Sequence, residues 1–442
     1  RFIALHSTQA GRKTIDRFTT IITRPSRRAT VLYRTINRRR PAMQISTNTQ
    51  TLVCVLRFGS TAPKQQAMAA LRALVVGIAI AAAHCWVAGG TATKGPVTYV
   101  FGDSMSDVGN NNYFQLSLAR SNYPWYGIDY PNGVATGRFT NGRTIGDYMA
   151  AKFGIPPPPP FLSLSMADDD FLAGVNFASG GAGILNETGV YFVEYFSFDE
   201  QISCFETVKR AMIAKIGKEA AEETVNAAMF QIGLGSNDYI NNFLQPFMAD
   251  GTTYTHDQFI RLLVATLDRQ LKRLYGLGAR KVAFNGLPPL GCIPSQRVKS
   301  ATGECIAQVN SYAVQFNAAA KKLLDGMNAK LPGAQMALAD CYSVVKELID
   351  HPERNGFTTS DTSCCGVDTK VGGLCLPDST PCRDRKAYVF WDAYHTSDAA
   401  NRVIADRLWA SMTTASAPAP APAARAGAPG PAAVPAPSPS RA

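Results

Sequence analysis

Ser104 follows directly on a short run of β-branched and aromatic residues that begins at residue 97. Such a run predicts a buried strand, and the Gly-Asp-Ser sequence at residues 102–104 ends it abruptly. Open α/β sheets carry their ligands and reacting groups at the carboxyl ends of strands, so this serine stands where a nucleophile would be needed. A serine hydroxyl is a poor nucleophile at neutral pH and requires a general base beside it.

A candidate base lies near the other end of the chain. His395 follows a strand-like aromatic run, and Asp392 stands three residues before it. In a tight turn this carboxylate can reach one ring nitrogen and leave the other facing Ser104. The three residues would then supply nucleophile, orienting acid and base for acyl transfer. His256 opens a long predicted helix and His351 precedes a proline at a helix end, so both are interpreted as capping or surface residues.

Acyl transfer also needs donors aimed at the oxyanion of the tetrahedral intermediate. The backbone amide of Ser104 is one candidate. Asn237, just past another predicted strand, offers a neutral and directional side-chain amide. A third donor is expected in the loop at residues 180–183, where three glycines let the backbone approach a substrate closely.

The chain carries five ordered sequence blocks between about residues 97 and 408: FGDSMSDVGNNNY, GVNFASGGAGI, IGLGSNDY, GLPPLGCIP and FWDAYH. Together they resemble the plant GDSL esterase/lipase family of the SGNH hydrolase superfamily. Two positions differ from the usual family pattern: Met105 replaces a leucine, and Thr396-Ser397 replaces Pro-Thr.

The resemblance implies a serine ester hydrolase with the SGNH hydrolase fold, acting on lipid, acetyl or cell-wall-linked esters without a metal or organic cofactor. It also implies Gly183 as the loop glycine that donates to the oxyanion, beside Ser104 and Asn237. One alternative is an acyltransferase that uses the same residues, with an alcohol in place of water. Another is a non-catalytic extracellular binding protein, against which the intact Ser104, Asn237, Asp392 and His395 argue.

Strands and helices alternate between residues 97 and 412, which predicts one three-layer α/β/α domain with a flavodoxin-like, mostly parallel sheet. Strands are predicted at residues 98–101, 174–178, 228–232, 281–284 and 335–339. Helices with apolar stripes are predicted at residues 256–274, 306–331 and 397–412. Asp107 and the asparagines at 110–112 are expected to tie down the loop after the nucleophile.

The positive charge is concentrated at the beginning of the chain. Residues 1–67 carry 11 Arg and 2 Lys against one acid, Asp16, whereas the whole chain of 442 residues has a net charge of +11. The remainder is therefore about neutral, and no nucleic-acid partner is indicated. The expected partner is a small-molecule or lipid ester.

Residues 68–92 have the basic start, apolar centre and small residues of a secretory signal peptide, which predicts a secreted protein without a membrane span in its mature form. Met68 is therefore the expected start, and residues 1–67 are interpreted as a disordered, non-native leader, either translated upstream sequence or a gene-model extension. The alternative is that they form a transit peptide for a plastid or mitochondrion. Residues 413–442 form an Ala/Pro-rich tract that is expected to be a disordered tail.

Eight cysteines follow the predicted leader, and an even number in an exported domain suggests disulfides. Eight cysteines allow 105 pairings; Cys292 with Cys305 is the predicted pair because it closes a short loop. A zinc site among the cysteines at residues 364–382 is the alternative, but no paired CxxC motif or nearby histidine favours it. Asn186 begins an Asn-Glu-Thr sequon within the domain.

Overall fold

The centre of the fold is a parallel sheet of five short strands. The computed structural model describes residues 95–366 and 373–415, and these strands are β1 (Thr98–Gly102), β2 (Gly174–Asn176), β3 (Met229–Gly233), β4 (Lys281–Asn285) and β5 (Gln335–Ala339). Their order across the sheet is β2-β1-β3-β4-β5, and every neighbouring pair is parallel. This is the flavodoxin-like order of a doubly wound sheet, which confirms the predicted fold class.

The second strand is shorter than the prediction of residues 174–178. It ends at Asn176, whose side-chain oxygen accepts the Ala178 N–H at 2.9 Å. The amide nitrogen of Asn176 donates to the carbonyl oxygen of Ser106 at 2.8 Å. These bonds turn the chain out of the sheet and tie the end of β2 to the loop after β1.

Seven helices of two turns or more flank the described part of the sheet. They are α1 (Ile145–Lys152), α2 (Phe198–Ile216), α3 (Lys218–Ala227), α4 (His256–Gly276), α5 (Ala307–Lys330), α6 (Cys341–Asp350) and α7 (Asp398–Ala415). Single α-helical turns lie at Ser236–Asp238, Asp250–Thr253 and Pro294–Arg297. The predicted helices at 256–274, 306–331 and 397–412 correspond to α4, α5 and α7.

Local sequence explains where several of these helices begin. Thr144, Ser197 and Thr255 precede α1, α2 and α4, and each accepts the N–H of the residue three positions later. The side chain of that later residue bonds back to the backbone N–H of the cap. These reciprocal capping boxes satisfy amide groups that the first helical turn leaves unpaired.

The alternation of side chains along β3 gives the molecule its three layers. Phe230 packs against Phe205 of α2, with ring centroids 5.3 Å apart. Its neighbours Met229 and Gln231 line a small cavity together with residues of α1 and α7. Because successive strand residues face opposite sides, helices cover both faces of the sheet.

Two small sheets lie beside the main one. Strand β6 (Thr359–Ser363) pairs in parallel with β9 (Tyr388–Phe390). Strand β7 (Cys365–Gly366) pairs in antiparallel fashion with β8 (Thr380–Pro381). The aromatic run before His395 is therefore a strand, as its composition suggests, but it lies outside the five-stranded sheet.

Six of the eight cysteines form disulfides. Cys292 is bonded to Cys305, as predicted, and the other two bonds are Cys364–Cys382 and Cys365–Cys375. The cysteines of the zinc alternative are thus paired with one another. Cys204 in α2 and Cys341 at the start of α6 are free thiols, so the expectation of disulfides does not extend to all eight.

The predicted boundaries of the leader and the tail lie largely outside the described residues. Residues 1–67, the signal segment at 68–92 and residues 416–442 are not among them, whereas α7 continues past the predicted end at residue 412 to Ala415. Within residues 95–366 and 373–415, none of the helices combines the length and apolar character needed to cross a membrane.

Candidate active site

Ser104 is held in a tight turn at the carboxyl end of β1. The backbone amides of Ser106 and Asp107 both donate to the carbonyl oxygen of Asp103, at 3.0 and 2.9 Å. The Asp103 side chain accepts the Met105 N–H at 2.9 Å. A Cβ on Gly102 would lie 2.9 Å from both the Gly233 carbonyl oxygen and the Ser106 Cβ, so this close turn requires glycine. The turn presents the Ser104 hydroxyl above the edge of the sheet.

The three residues predicted for acyl transfer lie in one hydrogen-bonded chain. The Nε2 atom of His395 is 2.8 Å from Oγ of Ser104. The Nδ1 atom of His395 is 2.8 Å from each carboxylate oxygen of Asp392. Asp392 is fully buried and His395 is nearly so. A base that contacts both the serine and a buried carboxylate can remove a proton from the serine and be stabilised when it carries that proton.

The Asp392 carboxylate receives three further hydrogen bonds. Its Oδ1 atom accepts the backbone N–H groups of Tyr394 and His395, both at 2.8 Å. Its Oδ2 atom accepts the hydroxyl of Tyr126 at 2.7 Å, and that hydroxyl in turn accepts the Cys375 N–H at 3.1 Å. Burial and the nearby Asp392 charge raise the pKa of Tyr126 well above its usual value, so the phenol keeps its proton and donates.

Tyr126 could not be identified as a functional residue from the sequence. It stands 266 residues before Asp392, in a stretch without regular secondary structure that contains several other aromatic residues. A hydrogen bond between residues so far apart depends on how the loops fold over the sheet. A single sequence carries no periodic signal for such a contact.

Loop contacts hold the segment that carries the acid and the base. Trp391 donates its N–H to the carbonyl oxygen of His395 at 2.8 Å, which closes the turn. Cys365 donates its N–H to the carbonyl oxygen of Trp391, also at 2.8 Å. Thr396 and Ser397, which differ from the usual family pattern, bond to Asn401 and to the start of α7. The turn is therefore fixed from both sides.

Of the predicted oxyanion donors, Ser104 and Asn237 line one cavity, and Gly181 represents the glycine loop there in place of Gly183. One amide hydrogen of Asn237 is donated to the Ala182 carbonyl oxygen at 2.9 Å, and the Asn237 oxygen accepts the side chain of Asn241 at 2.7 Å. This fixes the orientation of the Asn237 amide and leaves its second hydrogen available to a substrate.

Gly181, and not the predicted Gly183, lines the cavity at Ser104. A Cβ on Gly183 would lie 2.5 Å from Cγ2 of Thr188, and a Cβ on Gly181 would lie 2.5 Å from Cδ2 of Phe192, so packing requires glycine at both positions. Gly181 lines the cavity in a left-handed conformation with φ of +91°. Which glycine of the loop reaches the cavity depends on backbone angles, and a run of glycines in a sequence does not reveal those angles.

Two buried carboxylates hold the glycine loop at its two ends. Asp107 accepts the Gly180 N–H at 3.0 Å. Asp238 accepts the N–H groups of Ile184 and Leu185 at 2.8 and 3.0 Å. Asp107 belongs to the turn that carries the nucleophile, and Asp238 is the neighbour of Asn237. All three elements that could supply oxyanion donors are therefore joined by hydrogen bonds.

Burial raises the pKa of several acids around the site. It raises the pKa of Asp103 and of Asp107 to about 6, and that of Asp238 to about 7.

The asparagines after Asp107 form hydrogen bonds with the backbone of a neighbouring segment. Asn110 donates to the Asn176 and Ala178 carbonyl oxygens at 2.9 and 2.8 Å. The expectation that Asp107 and these asparagines fix the loop is confirmed.

The other described histidines lie away from the site. The ring of His256 stacks on Tyr312 at a centroid distance of 3.8 Å, and its Nε2 atom lies 3.2 Å from the Tyr239 hydroxyl. Burial lowers the pKa of His256. His351 is partly exposed at the end of α6, with its Nδ1 atom 4.0 Å from Oε1 of Glu353. Neither ring lines the cavity at Ser104.

The cavity that opens above Ser104 has a volume of about 740 Å³. This volume lies within the ~300–1,000 Å³ range of small-molecule binding sites. Its walls are mainly apolar and aromatic, and they include Leu118, Tyr123, Phe139, Tyr191, Phe192, Leu234, Phe247, Leu287, Leu374, Leu376 and Tyr394. An elongated apolar group bound here would lie against the nucleophile. Within the two described ranges, no cluster of three or more His, Cys, Asp or Glu side chains is arranged to bind a metal ion.

Comparisons with known proteins show which family this chain resembles. A family model described as GDSL-like lipase/acylhydrolase matches residues 99–408. A GDSL esterase/lipase of Arabidopsis thaliana is 58% identical over 325 residues, which cover 74% of this chain and 91% of the relative. A second one from that plant is 46% identical over 314 residues, covering 71% of this chain and 86% of the relative. A putative GDSL-like lipase structure from Parabacteroides merdae aligns with 73% of this chain and 96% of its own, at 13% identity and a TM-score of 0.33.

Proposed function

The chain belongs to the GDSL-like lipase/acylhydrolase family and is an ester hydrolase, and from this premise we propose that it cleaves carboxylic esters through an acyl-enzyme on Ser104. The observation that carries the proposal is the continuous contact from Ser104 through His395 to Asp392, with 2.8 Å at each step. The Tyr126 hydroxyl supports it further, because it keeps the acid oriented toward the base.

In the first half of the reaction, Oγ of Ser104 attacks the carbonyl carbon while its proton passes to Nε2 of His395. The carbonyl oxygen becomes an oxyanion and accepts hydrogen bonds from the Ser104 and Gly181 N–H groups and from the Asn237 amide. The bond to the alkoxy oxygen then breaks, and His395 protonates the departing alcohol. The acyl group remains as an ester on Ser104.

In the second half, a water molecule attacks the acyl carbon and His395 takes its proton. The bond between the acyl carbon and Oγ of Ser104 breaks, and His395 returns the proton to the serine. The carboxylic acid leaves and the enzyme regains its starting state. Asp392 stabilises the imidazolium each time it forms, which is why its burial and its hydrogen bonds matter to the rate.

A fluorophosphonate label tests the proposal without knowledge of the natural substrate, because it reacts with an activated serine. We expect peptide mass spectrometry to locate the label on Ser104, and the Ser104→Ala and His395→Ala variants to remain unlabelled. Circular dichroism would show that both variants are folded. Labelling of a different serine, or ester hydrolysis by folded Ser104→Ala near the wild-type rate, would contradict it.

We also propose that the protein is exported. Three disulfides lie in the described part of the chain, and such bonds form and persist in oxidising compartments. In plant cells the mature chain should begin between about residues 89 and 95, and non-reducing mass spectrometry should find the three disulfides. A mature chain that begins within residues 20–60 and resides in plastids or mitochondria would contradict export.

A further inference from the structure

Large apolar side chains are exposed around the mouth of the cavity. Six of them are between 40% and 66% exposed, and we call them the apolar rim: Leu116, Leu118, Val190, Val193, Phe247 and Leu376. Leu118, Phe247 and Leu376 also line the cavity. The other three stand one or two residues from lining residues. The exposure is therefore concentrated at the entrance to Ser104.

Direct contacts join three of the four segments of the apolar rim, and the fourth lines the same cavity. The Leu118 N–H donates to the Phe192 carbonyl oxygen at 2.9 Å, which ties residues 116–118 to residues 190–193. The ring of Tyr191 contacts that of Phe247 at a centroid distance of 5.4 Å, which connects residues 190–193 to residue 247. The fourth segment, residues 374–376, contains Cys375 and so ends the loop closed by the Cys365–Cys375 disulfide. The surface is thus formed before any ligand binds.

The backbone at Val193 indicates that this exposure is specific. Its φ is +73° and its ψ is −61°, a conformation that is unfavourable for a β-branched residue. A glycine or asparagine would suit such a turn better, yet an apolar residue occupies it and remains 55% exposed. Folding alone gains nothing from a strained turn that leaves a valine in water.

The apolar rim carries no charge of its own. Residues 116–118, 190–193, 247 and 374–376 contain no Asp, Glu, Lys or Arg. The nearest acid in sequence, Glu194, is engaged by the Leu116 N–H at 2.7 Å. Lys299 also lines the cavity, but it follows the helical turn Pro294–Arg297 and lies outside these four segments. An uncharged apolar surface matches an uncharged apolar partner, because a charged one would lose hydration without a counter-charge.

We propose that the apolar rim docks on the surface of an uncharged lipid aggregate and that the ester then passes from that surface into the cavity. The proposal rests on the proposed function, because it is the position of Ser104 below the rim that makes a lipid surface a source of substrate. A protein partner or a second copy of the chain seated on the same side chains would cover the mouth and block entry. A lipid surface supplies its molecules through it.

The test uses the full chain with Ser104→Ala, so that lipid is bound and not consumed. We expect it to float with vesicles of phosphatidylcholine, which has no net charge, and the binding to change little between low and high salt. Adding Leu116→Ser and Val190→Ser should weaken partitioning about tenfold, since apolar area no longer leaves water. The matched control is Val314→Ser, which alters an exposed valine on α5 outside the apolar rim and should leave binding unchanged.

The same substitutions in the active enzyme separate the two proposals. Leu116→Ser/Val190→Ser should leave hydrolysis of a dissolved short-chain ester unchanged and lower hydrolysis of an emulsified one several-fold. Equal vesicle binding by rim and control variants would overturn docking, as would binding that requires anionic lipid. Docking on lipid would also be overturned if analytical ultracentrifugation showed a dimer that the rim substitutions dissociate. Failure of the wild type to hydrolyse dissolved esters would contradict the proposed function, while the vesicle assay would still decide docking.

Discussion

The Tyr126 hydroxyl lies 2.7 Å from Oδ2 of Asp392, although the two residues are 266 positions apart. Asp392 already receives two backbone N–H groups and the His395 ring. Tyr126 provides the fourth hydrogen bond, and it is itself fixed by the Cys375 N–H. The orientation of the acid therefore depends on a loop closed by a disulfide.

Tyr126→Phe keeps the ring and removes only this donor. We expect kcat to fall about tenfold, because one hydrogen bond to a charged group contributes ~1.5–3 kcal/mol and part of it is recovered by the remaining donors. Steady-state kinetics on a dissolved ester would measure this. Tyr275→Phe is the matched control, since that phenol donates to the Pro332 carbonyl oxygen far from the site. Equal rates for the two variants would show that Tyr126 does not position the acid.

The three residues of the hydrogen-bonded chain should respond as one unit. Ser104→Ala and His395→Ala are each expected to lower kcat by ~10⁶, and the double variant by no more than either alone. Asp392→Asn should cost less, ~10⁴, because the serine and the base remain. The measurement is kcat with thermal unfolding as a check on the fold. Additive losses in the double variant would contradict a shared role.

Asn237→Ala should lower kcat by ~10²–10³ with little change in KM, as expected for the loss of one oxyanion donor. Asn241→Ala, which removes only the partner of the Asn237 oxygen, should have a smaller effect. A change confined to KM in Asn237→Ala would instead make this residue a binding group for the ground state.

Stability should depend on pH through Asp238. Its pKa is raised by burial to about 7 from the ordinary value of 3.8, so the folded state holds this proton more tightly than the unfolded state. The stabilising contribution is complete below the unfolded pKa and is lost as the pH rises through about 7, with a slope of at most ~1.4 kcal/mol per pH unit. Asp238→Asn should remove that part of the slope between pH 4 and 7 in urea titrations. An unchanged slope would contradict the raised pKa.

Replacing Cys365 and Cys375 by serine should reduce both stability and activity. The bond joins residues 10 apart, and closing such a loop is worth about 3 kcal/mol in the chain-entropy treatment. Activity should also fall, because the Cys375 N–H loses its fixed position at Tyr126. The double variant of Cys292 and Cys305, whose separation is 13, should lose similar stability with a smaller change in kcat. Equal losses of kcat in the two double variants would show that the Cys365–Cys375 bond does not help to orient Asp392.

Local patterns in the sequence were sufficient for the sheet and for the hydrogen-bonded chain at Ser104. Each strand of the sheet is a short apolar run next to a glycine or a polar turn, and such runs need no distant information. Ser104, Asn237 and His395 could be located because each follows a strand. Tyr126, the choice of Gly181 and the pairing of Cys365 with Cys375 depend instead on loop geometry. Contacts of that kind join distant segments and leave no periodic trace in one sequence.

The nucleophile stands at the end of the first strand of the sheet, whereas the acid and the base come after the last one. A chain synthesised only as far as β5 contains the entire central sheet, Ser104 and the oxyanion donors, but has nothing to remove the serine proton. In the proposed mechanism the serine can react only when the final segment, tied by the Cys364–Cys382 and Cys365–Cys375 bonds, has folded. By that mechanism, esterase turnover would report that the last segment has folded, and a chain that ends at β5 should be inactive.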